Sequence, residues 1–363
     1  MIRNYFYLVL ITLFLTACKN TEGNGIATDT YNRTEVLKNL TDNIIIPSYA
    51  SFRESLSTFK LVTDTYVSES SEENLTAVKN QWLVSYKLWQ HVEMFDIGKA
   101  EEIRYNLRMN SYATKVSRIE SNVNTFNYDL SEDTETSFLS QGFPAIDYLL
   151  FGLEDNVLEG TSDNYRLYLA ALVDEMISNT DKCIADWNNN RDAFINDNSN
   201  TKTSSFNKLA NDFVYYYEKG LRTNKIGIPV GYWDSNIVAS EMIEGYYKKD
   251  ISKILLQESL TAVENFFLGK KFGGQEIGES FKSYLEYLDE ETELTSEIAN
   301  NFEASKQQIE KLQPNFVNQL ETDYGVLELS SVFDAIHNNV PKFKIYMLAA
   351  FQVSTDYADA DGD

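Results

Sequence analysis

The chain predicts an all-α fold, on three observations. Apolar residues recur at three-, four- and seven-residue steps through most of its length, as on one face of a helix. Alternating polar and β-branched runs, which would signal strands, are nearly absent. The hydrophobic content of 43%, with 23 Tyr and 21 Phe, is ample for helix-bundle packing around a core. At 363 residues the length suits two helical-bundle domains better than one.

The elements follow in order. Residues 1–17 read as an export signal: Arg3 gives the positive start and Tyr5 to Leu15 form an apolar run too short to span a bilayer. Leu15-Thr16-Ala17-Cys18 is similar to a bacterial lipobox, which implies cleavage before Cys18 and acylation of its sulfur. The competing reading is an ordinary signal peptide with a chance cysteine. Residues 18–30 would then be a lipidated tether, holding the protein on a membrane of the bacterial cell envelope, the outer membrane by expectation. Residues 31–187 form the expected first bundle. A helix starts near Tyr31 and breaks at Pro47. The next starts near Glu73, with Leu75, Val78, Trp82 and Trp89 on one stripe; a broken stretch runs from Asp96 to Arg104, then a helix from Tyr112 to Phe126. Leu153–Asn164 reads as a loop and Tyr165–Trp187 as the helix that closes the bundle. Cys183 falls on that helix's apolar stripe and reads as a small core hydrophobe.

Residues 188–203, rich in Asn, Asp, Ser and Thr, are the expected linker. The second bundle, 204–357, would hold helices at Ser204–Glu218, Ser235–Lys249, Ser252–Leu268, Glu276–Leu288, Glu291–Leu312, Phe316–Thr322 and Leu329–Asp356. Leu268–Gly278 is a loop, and Gln313-Pro314 should bend the chain. Residues 358–363 are a solvated acidic tail.

The formal net charge of −24 excludes nucleic acid as a partner and disfavours anionic lipid surfaces, the anchor apart. No Gly-x-Ser-x-Gly elbow, phosphate loop or His-Glu-x-x-His pattern is present. His91 and His337 are the only histidines. His91 and Glu93, two apart, point in different directions on a helix, and His337 reads as a boundary residue with a hydrogen-bond partner.

The most informative segment is Gln141-Gly142-Phe143-Pro144-Ala145-Ile146-Asp147-Tyr148-Leu149-Leu150-Phe151-Gly152. It resembles the Gly-x-His-x-x-Glu signature of the imelysin-like family, with Pro144 at the histidine and Asp147 at the glutamate. Asn224-Lys225-Ile226-Gly227-Ile228-Pro229 resembles that family's Lys-Ile-Gly-x-Pro turn. The segment Ala239–Gly269, containing Ile243-Glu244-Gly245-Tyr246-Tyr247, matches the Bacteroidetes-like branch in order and spacing. With Trp82, Trp89, Glu93 and Phe95 the likeness covers nearly the whole chain beyond the signal.

The resemblance implies two helical halves with a pocket between them, and a function described in that family both as metallopeptidase and as iron acquisition. Proline offers no lone pair to a metal or a proton, so the motif has lost its imidazole. The expected lining is Trp89, Glu93, Phe143, Pro144, Asp147, Lys225, Glu244 and Tyr247, with Lys225 or carboxylates gripping polar ligand groups. Glu93, Asp147 and Glu244 could hold an ion such as Fe, Zn or Ca. Solvated or salt-bridged helix carboxylates explain the same residues, and Asp147 near a helix start could be purely structural. The reading that results is a non-catalytic binding or uptake-accessory lipoprotein. A metallopeptidase and a scaffold docking an outer-membrane receptor are the alternatives.

Overall fold

In the computed structural model, which describes residues 30–153, 163–234, 237–288 and 293–355, helix α1 (Arg33–Leu40) runs through a π-helical turn, Thr41–Ile45, into α2 (Ile46–Ser68). The break expected at Pro47 is therefore a change of pitch. Pro47 sits in the first turn of α2, where its missing N–H is tolerated. A proline there withdraws one donor from the carbonyls about one turn back. One carbonyl of that turn, Asn43, accepts the N–H of Phe272 at 2.9 Å. The irregular turn thus holds a loop more than 200 residues away.

Along α2, Tyr49, Phe52, Leu56, Phe59, Thr63 and Tyr66 are buried at steps of three and four, so one stripe faces inward throughout. It packs along α3 (Glu72–Trp89) and the long helix described below. Ser71 caps α3, its hydroxyl accepting from the Asn74 N–H at 3.2 Å, and the predicted stripe Leu75, Val78, Trp82 and Trp89 is buried. Two short helical turns follow, Lys99–Glu102 and Tyr105–Met109, then α4 (Val116–Thr125), shorter than expected, and α5 (Gly142–Asp147), which runs into a π-helical turn over Tyr148–Gly152.

Helix α6 (Asp163–Asn196) overruns the expected linker. Ile195 is buried, Trp187 meets Phe194 edge-on at 5.0 Å, and the Arg191 Nε donates to Asp42 Oδ1 at 2.6 Å. These tertiary contacts outweigh the weak helix propensity of the Asn-rich run. The Arg33 guanidinium donates to the Tyr284 hydroxyl and, at 2.8 Å, to the Phe351 carbonyl, and lies 4.7 Å from the Phe206 ring centre. The chain from Arg33 onward accordingly forms one compact unit, with no boundary at 188–203.

After α7 (Ser205–Tyr215) comes a π-helical run, Tyr216–Gly227, then α8 (Ser252–Leu268), α9 (Phe281–Leu288), α10 (Glu293–Lys311) and α11 (Asp323–His337). The helix expected over Ser235–Lys249 does not form. Among the described residues of that range only Ser240–Met242 is helical, as a 3-10 turn, and Gly245 (φ +72°) and Lys249 (φ +69°) adopt left-handed backbone that interrupts any helix. Helix α9 starts five residues later than expected because Ser280 and Ser283 cap each other's N–H groups. The final predicted helix is split: α11 starts earlier, at a Thr322 cap, ends at His337, and Pro341 opens a separate π-helical turn, Lys342–Met347. Phe316–Gln319 is shorter than expected, yet Ile298, Phe302, Ile309, Leu312 and Phe316 are all buried across the Gln313-Pro314 bend.

Among the described residues there is no strand, only a bridge between Lys270 and Ile277, and no helix is long and apolar enough to cross a membrane. The signal, the Cys18 tether, the acidic tail and nearly all of the Leu153–Asn164 loop lie outside the described residues. Cys183 is buried, and burial pushes its thiol up to about 12, which suits a core hydrophobe.

Candidate functional site

Three irregular segments meet around one ammonium group. Glu93 lies in the turn after α3, Lys225 near the end of the π-helical run, and Glu244 in the turn before α8. Lys225 Nζ is 2.7 Å from Glu93 Oε1, 2.7 Å from Glu244 Oε1 and 2.7 Å from Gln90 Oε1. Its three N–H donors are matched by three acceptors. Asn110 Nδ2 donates to Glu244 Oε1 at 2.6 Å and, more weakly, to Glu93 Oε2 at 3.4 Å. The Asn110 carbonyl oxygen accepts from the Tyr86 and Tyr112 hydroxyls, both at 2.8 Å, and the Tyr216 hydroxyl donates to Glu93.

Glu93, Lys225 and Glu244 are each less than a tenth exposed. Burial raises the Glu93 pKa; Lys225 opposes that rise and Glu244 adds to it. Burial works against the Lys225 charge too, yet Glu244 and Glu93 outweigh it and hold the ammonium above its ordinary value. The pair of carboxylates with its ammonium is therefore a closed electrostatic unit.

Asp147 stands apart from this unit. Its two oxygens accept the backbone N–H groups of Tyr247, at 2.9 Å, and Lys248, at 3.0 Å. The side chain clasps the turn that carries Glu244. Burial pushes its carboxyl up to about 7, while those two amides and the Lys248 charge pull it back.

The remaining expected residues form the wall beside these groups. Phe143 stacks on Tyr86 at 4.3 Å and neighbours Trp89 at 6.3 Å; Pro144 is buried in the first turn of α5; half-buried Tyr247 meets Tyr148 edge-on at 5.2 Å. Gly142 opens α5 at φ +70°, and a Cβ there would lie 2.2 Å from the Met109 carbonyl oxygen. Gly142→Ala is expected to cost about 2 kcal/mol or more, because backbone meets backbone and neither side yields cheaply. A urea melt with an unchanged midpoint would contradict that geometry.

A metal between the expected carboxylates does not fit this arrangement. The Lys225 ammonium fills the space between Glu93 and Glu244, and both Asp147 oxygens are committed to amides. Among the described residues no group of three or more His, Cys, Asp and Glu side chains is placed to hold an ion. His91 Nε2 pairs with Glu258 at 3.1 Å, and His337 Nδ1 meets the Arg222 guanidinium. Lys225, expected to grip a ligand, grips the protein's own carboxylates. Gln90, Asn110, Tyr86, Tyr112 and Tyr216 were not anticipated. Gln90 follows Trp89 directly, and a polar residue at the inner end of an apolar stripe was the one available signal; Asn110 offered none.

A model of the Imelysin family matches residues 45–338. The iron-regulated protein A of Synechococcus elongatus is 25% identical over 137 residues, 38% of this chain and 36% of that protein, so the chain matches about a third of that relative's length. Among solved structures, an iron-regulated protein A precursor from Parabacteroides distasonis has a TM-score of 0.73 at 16% identity, covering 88% of this chain and 95% of that one. An imelysin-like protein from Psychrobacter arcticum has a TM-score of 0.71 at 14% identity, covering 90% and 97%. Likeness at such low identity speaks for the fold alone, whereas the family match spans most of the sequence: the chain belongs to the imelysin family.

Proposed function

We propose that this protein is a non-catalytic accessory of iron acquisition, anchored through Cys18 in the bacterial cell envelope and working with an outer-membrane receptor. The observation that carries the non-catalytic reading is the Lys225 ammonium held between Glu93 and Glu244, where a metallopeptidase would need an exchangeable ion. Pro144 in place of an imidazole supports the same reading. The iron link rests on the name iron-regulated protein A carried by the Synechococcus elongatus relative, and the anchor on Leu15-Thr16-Ala17-Cys18. The iron concerned is cargo passed to a partner, not an ion resident in this cluster.

Three measurements test the parts separately. A strain lacking the protein should grow more slowly than its parent only when iron is chelated; equal growth would sink the iron role. Metabolic lipid labelling should mark the wild type and not Cys18→Ala. The purified protein should leave casein intact with zinc, manganese or calcium added, and cleavage that a chelator abolishes and zinc restores would reinstate the peptidase.

A further inference from the structure

A cavity of about 220 Å³ lies beneath the loop that follows α8, and it uses none of the side chains of the Lys225 cluster. The loop over it is anchored on both sides. Phe272 N–H bonds the Asn43 carbonyl at 2.9 Å, and Asn39 Nδ2 donates to the Gly269 and Glu279 carbonyls at 3.1 and 2.9 Å. Gly278 N–H bonds the Gly269 carbonyl at 3.0 Å, closing the loop on itself. The space beneath is thereby formed in advance of any ligand.

Its walls are of two kinds. Ile44, Met94, Phe95 and Ala262 supply an apolar interior, each at most 5% exposed, and Phe272 closes one side against the edge of His91. Asn265 and Lys270 supply polar groups. Among the described residues neither the Asn265 side-chain amide nor the Lys270 ammonium has a hydrogen-bond or ion-pair partner. An unpaired lysine at the wall of a preformed cavity is notable on a chain of net charge −24. The nearby acid does not cancel it: Glu258 is held by His91 at 3.1 Å and Lys87 at 2.9 Å, which together pull its carboxyl below the ordinary range. Glu276 on the loop sits with Lys271.

We infer that this cavity binds a small apolar carboxylate, a monoacid with an aromatic or short branched body, whose carboxylate meets Lys270 and Asn265. Size sets the body: an apolar cavity of about 150 Å³ accepts benzene, so this one accommodates a ring with one substituent. Charge sets the head group, because an amine would be repelled by Lys270 and a neutral arene would leave both polar groups unmatched. The inference stands independently of the envelope anchor and of the iron role.

Benzoate is the probe, read by calorimetry and ligand-observed NMR on the purified full-length protein. It should bind saturably with a Kd on the order of a millimolar, the range open to so few atoms. Benzylammonium should bind at least about tenfold more weakly. Lys270→Met, at a partly exposed position, should weaken benzoate about tenfold while leaving the circular dichroism unchanged. Ala262→Leu, which fills the cavity with methyl groups, should abolish binding in a protein that still melts cooperatively. Decanoate, which outgrows the space, should fail to displace benzoate. No saturable benzoate signal, equal binding of benzylammonium, full affinity in Lys270→Met, or tighter binding of decanoate would each overturn the assignment. Should Ala262→Leu fail to fold, the Lys270 and amine comparisons still decide it.

Discussion

Lys225→Met should destabilise the protein by about 3–5 kcal/mol near neutral pH, the largest single effect expected of any substitution in the site. Methionine keeps lysine's unbranched shape up to the ammonium, so little packing is lost. What is lost is the charge that lets Glu93 and Glu244 stay buried, each 2.7 Å from the ammonium. Removing one partner of a buried ion group leaves the other charges uncompensated, and that costs more than the intact group ever contributed.

The pH dependence has a definite sign. With Lys225 gone, Glu93 would keep a folded pKa above its unfolded one, through burial and the repulsion of Glu244, both of which already push it up. Such a group contributes stability at low pH that is lost as pH rises through the folded value. The variant should therefore be closer to wild type at pH 5 than at pH 7.5. Adding Glu93→Gln and Glu244→Gln should recover part of the loss. The intact cluster behaves oppositely at the other end of the scale: Lys225 is held above its ordinary pKa, so its contribution is complete below that value and vanishes only in strong alkali. Urea melts at the two pH values decide the matter, and a variant as stable as the parent at both would mean that the carboxylates are not charged.

The helical class and the α3 stripe were legible because burial follows spacing directly: Leu75, Val78, Trp82 and Trp89 fall at helical steps and all face inward. Element ends were less legible, since they depend on partners remote in sequence. Pro47 signals a break, but a π-helical turn absorbs it. The Asn-rich stretch after Trp187 signals a linker, but Asp42 and the buried Ile195 keep it helical to Asn196. The segment Ser235–Lys249 carries helix-compatible residues, and Gly245 with the Asp147 clasp overrides them.

The site divides in the same way. The resemblance pointed to Glu93, Lys225 and Glu244, which do meet; periodicity alone would have left them as three surface charges among 55 acidic and 31 basic residues. That Lys225 is the cation of the cluster could not be read from sequence, because three separate turns create the contact.

Asp147→Ala should cost about 2–5 kcal/mol, through a different mechanism. The aspartate's oxygens are the acceptors for the Tyr247 and Lys248 N–H groups, and its removal leaves both without their partner, at roughly 1–3 kcal/mol each. The damage should be local: amide exchange at Tyr247 and Lys248 should accelerate far more than exchange in α2 or α3. Asp147→Asn separates the carboxylate's charge from its shape, since an amide oxygen can still accept one of the two bonds. Burial holds the wild-type carboxyl at about 7, above an unfolded value near ~3.9. A raised carboxyl stabilises the fold fully below about pH 4 and loses that contribution as pH rises through about 7, a span on the order of 4 kcal/mol. Asparagine does not titrate, so its cost relative to wild type should be greater at pH 5 than at pH 8. If the cost were instead greater at pH 8, the carboxyl would be lowered by its two amides, and the clasp would work as an anion held by backbone dipoles.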